Sequence, residues 1–138
     1  ISQVLKKLNQ NVTLYCLESM AYKGDAKIAY KKNRLTKNNY NDLNIPKNSV
    51  IIDCLFGIGL NRKVKGMYKN IIKKVNNSKQ HVISIDIPSG INGNNGKIMG
   101  EAIKANSTYT LHAKKIGLTV NSGMKYSGKV SIIDIGIK

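Results

Sequence analysis

The chain has 138 residues, 41% of them hydrophobic, and carries a formal net charge of +16 from 23 Lys and Arg against 7 Asp and Glu. That is enough chain for one core and one domain spanning residues 1–138, and its longest apolar run, around Val50–Ile52, is far too short to cross a bilayer, so no membrane partner is expected. Only Arg34 and Arg62 are arginine; the remaining basic residues are scattered lysines, which suit a solvated surface or an anionic ligand better than a nucleic-acid face built on Arg and aromatics.

The elements follow in chain order. Ile1, Val4, Leu5 and Leu8 have the spacing of one helix face. Asn9 and Asn11 punctuate, and Val12–Leu17 forms a strand. Asp25–Arg34 is a second helix with Ala26, Ala29 and Tyr30 on one face. Thr36–Ser49, with Pro46, is a loop. Val50–Phe56 is an apolar run interrupted by Asp53, the signature of a strand covered on both faces in a parallel sheet. Met67, Ile71, Ile72 and Val75 mark a helix face that Asn76-Asn77-Ser78 closes. Val82–Ile87 is another buried strand, completing a βαβ unit. Pro88–Gly100 is a loop, and Ser107–His112 and Lys129–Ile135 are the last strands. The class is α/β with a mainly parallel sheet.

Cys16 and Cys54 lie in apolar runs without a CxxC or a metal-ligand spacing, and are expected to be small buried hydrophobes in a reducing compartment. Ile1 begins in mid-pattern and is not Met, so the chain reads as N-terminally truncated and the lack of a leader carries no information.

Three features fall at the carboxyl ends of strands, where open α/β sheets place function. Asp53 is followed by Gly57-Ile58-Gly59, which either bares backbone N–H groups to a phosphate or serves a turn that needs positive φ. Asp86 ends an apolar strand, ahead of Pro88-Ser89-Gly90, either as a functional carboxylate or as an Asx-turn former. Lys114-Lys115-Ile116-Gly117 follows the strand Ser107–His112; in so lysine-rich a chain the pair alone decides nothing. His112 is expected to be a structural polar residue, and Tyr68 to pack.

Asp53-x-x-x-Gly57-x-Gly59, Ile85-Asp86-Ile87-Pro88-Ser89-Gly90, Lys115-Ile116-Gly117-Leu118, Tyr126-x-Gly128-Lys129-Val130 and Asp134-Ile135-Gly136-Ile137 occur in one order. On these motifs the chain resembles the YjeF N-terminal domain family, the NAD(P)H-hydrate epimerases. The resemblance implies a Rossmann-like three-layer α/β/α fold with a mainly parallel sheet, its N-terminal helix and first strand missing here along with the family's Asn-Asn-Gly-Gly-Asp-Gly loop. It implies an isomerase that interconverts the R and S C6 epimers of hydrated NADH or NADPH, in repair of nicotinamide cofactors.

By the same resemblance Asp53 and Ser89 are ligands of one potassium ion per subunit. Gly57, Ile58, Gly59, Leu60, Asn61, Arg62 and Lys63 form the loop on the substrate's phosphates. Asp86 contacts the hydrated nicotinamide and is the candidate acid/base, acting through departure and return of the hydroxyl or through ring opening. The implied setting is a cytoplasmic homodimer that serves a fused or separate ADP/ATP-dependent NAD(P)H-hydrate dehydratase. The alternative is a non-catalytic dimerisation module of the same fold, placed near RNA; retention of Asp53, Asp86 and Ser89 favours the enzyme.

Overall fold

The computed structural model describes residues 1–16 and 23–137 and separates into two units, Ile1–Asn44 and Ile45–Lys138. In the first, the apolar stripe gives helix α1 (Ser2–Lys7), but Ile1, Val4 and Leu8 remain exposed within the described structure. The predicted strand Val12–Leu17 shrinks to β1 (Leu14–Tyr15), and Leu17 lies outside the described residues. Helix α2 (Gly24–Lys32) has Asp25 in its first turn and Lys31 and Lys32 in its last, the arrangement its dipole favours. It stops two residues short of the predicted end, and Ala26 and Ala29 are exposed rather than buried.

Two elements stand in the stretch expected to be loop. Strand β2 (Lys37–Asn38) pairs in parallel with β1, Leu14 opposite Lys37, and a 3-10 turn covers Tyr40–Asp42. Polar ties hold α1 to α2: Gln3 Nε2 donates to the Lys32 carbonyl at 2.9 Å, and Asn33 Nδ2 to Ser2 Oγ at 3.0 Å.

The second unit is a four-stranded sheet in the order β3-β4-β5-β6, every neighbour pair parallel. Its strands are rich in Val, Ile and Thr, which fit a pleated surface: β3 (Val50–Asp53), β4 (His81–Ile85), β5 (Ser107–Leu111) and β6 (Lys129–Ile133). Each predicted strand is present and each ends one to three residues early. Helix α3 (Gly66–Ser78) crosses from β3 to β4 and buries Ile71, Ile72 and Val75, while Met67, expected on that face, is exposed. Asn76, read as punctuation, is a tie: its Nδ2 donates to the Ala102 carbonyl at 3.0 Å and its Oδ1 accepts from Lys104 N at 2.9 Å.

Burial alternates along β4 and β5, so the sheet has one closed face rather than two. In the pairing register, Asp53, Ser84, Thr108 and Val130 share that closed face. Val50, at the sheet edge, is exposed. The β4–β5 crossover, from Asp86 to Asn106, is irregular, and Ile87, Ile91, Ala102 and Leu118 form a core cluster with Tyr126 and Val130 packed against it. Sequence reading missed the β5–β6 crossover: a 3-10 turn at Ile116–Leu118 and a six-residue helix, α4 (Asn121–Tyr126). Among the described residues no helix is long and apolar enough to cross a membrane. The cysteines are not the buried pair expected: Cys16 is half-buried and Cys54 exposed.

Candidate functional site

Because β3, β4 and β5 are parallel neighbours, their carboxyl ends lie along one edge, and each delivers a polar group there. Strand β3 ends on Asp53, whose residue is 6% exposed. Both its oxygens accept hydrogen bonds: Oδ1 from Ser89 Oγ at 2.6 Å and Leu55 N at 3.2 Å, Oδ2 from Ser84 Oγ and Ser89 N, each at 2.8 Å. Burial pushes its pKa above the ordinary carboxylate range, against the pull of these hydrogen bonds from Ser89, Ser84 and Leu55. No cationic side chain among the described residues pairs with it, the ion pair between described residues being Lys115–Asp86.

Ser89 is buried in turn. Its hydroxyl accepts from Phe56 N at 2.8 Å, which ties the chain leaving β3 to the chain leaving β4. Asp53 and Ser89, the two residues singled out as cation ligands, are thus in direct contact. Together with the Phe56 carbonyl, 3.2 Å from Ser89 Oγ, they form a set of hard oxygens around a buried, uncompensated carboxylate. Such donors fit an alkali cation. The Ser84 and Ser89 hydroxyl hydrogens can rotate away to free lone pairs for it. No group of three or more His, Cys, Asp and Glu side chains suited to a metal ion lies among the described residues.

Asp86 stands just past the end of β4 with φ 72°, a left-handed conformation that few non-glycine residues adopt. Its amide donates to the Tyr109 carbonyl at 2.8 Å. Its carboxylate is held on one oxygen only: Oδ1 accepts from Lys115 Nζ, from Leu111 N at 3.2 Å and from Thr110 Oγ1 at 3.5 Å. Lys115 Nζ also donates to the Leu111 carbonyl at 2.7 Å. Side chains of both partners are 19% exposed, so the pair is sheltered but reachable. Oδ2 has no hydrogen-bond partner among the described residues. Lys115, which sequence reasoning left undecided, is thus brought against Asp86; its place in the loop that follows β5 was the available signal.

The loop after β3 contains the seven residues Gly57–Lys63. Gly57, Ile58, Gly59, Asn61, Arg62 and Lys63 are exposed and Leu60 half-buried. Neither Gly57 nor Gly59 has a positive φ, and a Cβ built on either meets nothing within 4 Å. The turn explanation for these glycines therefore fails. No hydrogen bond among the described residues joins Gly57–Lys63 to Asp86. Behind the loop, α3 begins with no side-chain cap and no acid in its first turn, leaving N–H groups and the positive end of its dipole free. Tyr68 packs edge-on against Phe56 with ring centroids 5.2 Å apart, as expected of a packing residue. His112 is exposed, with φ 63°, at the end of β5.

A family model described as YjeF-related protein N-terminus matches residues 1–117. A protein of Oenococcus oeni named NAD(P)H-hydrate epimerase is 44% identical over 89 residues, which cover 64% of this chain and 42% of that protein. One of the same name from Limosilactobacillus reuteri is 43% identical over 86 residues, covering 62% and 41%. A third, from Levilactobacillus brevis, is 34% identical over 146 aligned positions that take in 99% of this chain and 65% of the relative. The chain thus spans about two-fifths to two-thirds of these curated relatives.

Proposed function

This chain belongs to the YjeF-related protein N-terminus family, and from that premise we propose that it interconverts the R and S epimers of hydrated NADH and NADPH at C6. The observation that carries the reading is the Asp86–Lys115 pair, aligned with an open glycine loop on one strand edge. A hydroxyl on a carbon bonded to the ring nitrogen forms a hemiaminal. If the hydroxyl leaves, the nitrogen lone pair closes an iminium, and water returning on the opposite face gives the other epimer.

The leaving hydroxyl needs a proton and the incoming water must lose one. The Asp86–Lys115 pair serves both steps: a proton passes from it to the departing oxygen and returns to it when water adds. Three donors on Oδ1 fix the carboxylate, so Oδ2 is the oxygen turned to substrate. Backbone N–H groups of Gly57–Gly59 and the start of α3 receive the diphosphate, as helix N-termini do.

Asp53 and Ser89 would hold the potassium ion, which would supply positive charge to offset the substrate's phosphates. The proposed setting, carried over from the family resemblance, is a cytoplasmic homodimer that serves a fused or separate dehydratase. The test is incubation of the pure R hydrate of NADPH with the intact protein, followed by chromatographic resolution of the epimers. The S epimer should form well above the spontaneous rate; conversion no faster than in buffer would refute the reading.

A further inference from the structure

Resting on the substrate reading above, we infer that Arg62 recognises a phosphate monoester, so that the site prefers the hydrate of NADPH, with its 2′-phosphate, to that of NADH. Lysine is this chain's default cation: all basic residues but Arg34 and Arg62 are lysines. Arg34 falls in the other unit. Arg62 lies three residues after Gly59 in the exposed loop, and its guanidinium has no hydrogen bond or ion pair with any described residue. From Cys54 to Ile85 the sequence contains no Asp or Glu, so nothing nearby in the chain calls for an arginine.

The two kinds of phosphate in the substrate make different demands. Each phosphorus of the diphosphate bears one negative charge, which the loop's backbone N–H groups and the uncapped start of α3 can meet. A monoester is close to a dianion with three acceptor oxygens. A guanidinium fork grips two of them at once, whereas an ammonium acts as a point charge. In open α/β dinucleotide sites an arginine near the sheet edge commonly accommodates the 2′-phosphate. Lys63 and Lys65 are also exposed and add attraction without that geometry.

The experiment is calorimetric titration of the intact protein with ADP-ribose and with 2′-phospho-ADP-ribose at physiological salt. The parent should bind the phosphorylated probe at least about tenfold more tightly, the scale of a bidentate charge-assisted contact. Arg62→Gln should bring the ratio close to one, and Arg62→Lys should leave it between the two. Lys125→Gln, on α4, should keep the parent's ratio, which separates specific recognition from the pull of a +16 surface. Equal affinities in the parent, or a ratio that survives Arg62→Gln, would overturn the assignment of Arg62 alone. Failure of both probes to bind would overturn the proposed substrate class with it.

Discussion

Two loops leave adjacent strands on the same edge of the sheet, both rich in glycine, and they are glycine-rich for opposite reasons. After β4 the backbone turns inward. Gly90 has φ 96°, and a Cβ there would overlap the Glu101 carbonyl; Gly96 has φ 68° and stands against the Val120 carbonyl. Hydrogen bonds stitch this loop down, with Met99 N donating to the Gly90 carbonyl at 2.7 Å and Ile103 N to Ser89 at 2.8 Å. After β3, Gly57 and Gly59 have neither the dihedral nor the neighbours to need glycine. One loop has glycine because the fold demands it. The other keeps open space beside its backbone, which suits the close approach of a ligand phosphate.

Substitution at Gly90 should give the largest effect. Gly90→Ala combines a strained left-handed conformation with a backbone overlap, and should destabilise the protein by about 3 kcal/mol or more, read as a lower denaturant midpoint. If Gly90→Ala unfolds with the parent, the distinction between the loops is lost.

Gly57→Ala and Gly59→Ala together should behave in the reverse way. Alanine is compatible with these dihedrals and restricts the unfolded chain, so stability should stay level or rise by about 0.4–1 kcal/mol at each site. Affinity for ADP-ribose should meanwhile fall about tenfold, near 1.4 kcal/mol, because the added methyl groups occupy the phosphate's approach. A drop in stability with affinity intact would assign these glycines to the fold instead.

A smaller effect sharpens the base of the same edge, at Asp53. Burial raises its folded pKa above the ordinary value of 3.8, so its favourable contribution is complete below that pH and is lost as pH rises through the folded value. Asp53→Asn lacks this loss, so its stability relative to the parent should climb across that window. With potassium in place of lithium at equal ionic strength, the climb should shrink, because a bound cation favours the ionised carboxylate. A difference between mutant and parent that is flat with pH would contradict the burial cause, and identical slopes in both salts would contradict the cation.

Much of this was legible beforehand, for identifiable reasons. The strands β3 to β6 and the buried stripe of α3 were announced by β-branched runs and by Ile71, Ile72 and Val75 at helical spacing. Asp53, Asp86 and Ser89 could be singled out because carboxylates and hydroxyls at the ends of apolar strands require a reason. Strand β2 was not legible: Lys37 and Asn38 are polar, and only their pairing with β1 makes them a strand. Helix α4 offers Met124 and Tyr126 as its only large apolar residues, in six positions followed by Ser127 and Gly128, too short for a period to show. Lys115 was hidden by composition, since in a lysine-rich chain only a tertiary contact distinguishes one lysine from the rest. The roles of the glycines were hidden for a similar reason: Gly90 and Gly57 differ only in what lies beside them.

The central claim is that Asp86, fixed through Oδ1 and open at Oδ2, moves the proton at C6 of the hydrate. Asp86→Asn keeps the shape of the side chain and most of its hydrogen-bonding capacity but removes the acid/base. R-to-S conversion by the intact protein should therefore fall about 10²- to 10⁴-fold, roughly 3–5 kcal/mol at the barrier. ADP-ribose affinity, measured on the same preparation, should change far less. Retention of more than about a tenth of the parent rate would contradict the account, because an acid/base group contributes more than that, and would leave Asp86 a positioning residue and Lys115 the remaining candidate for the proton.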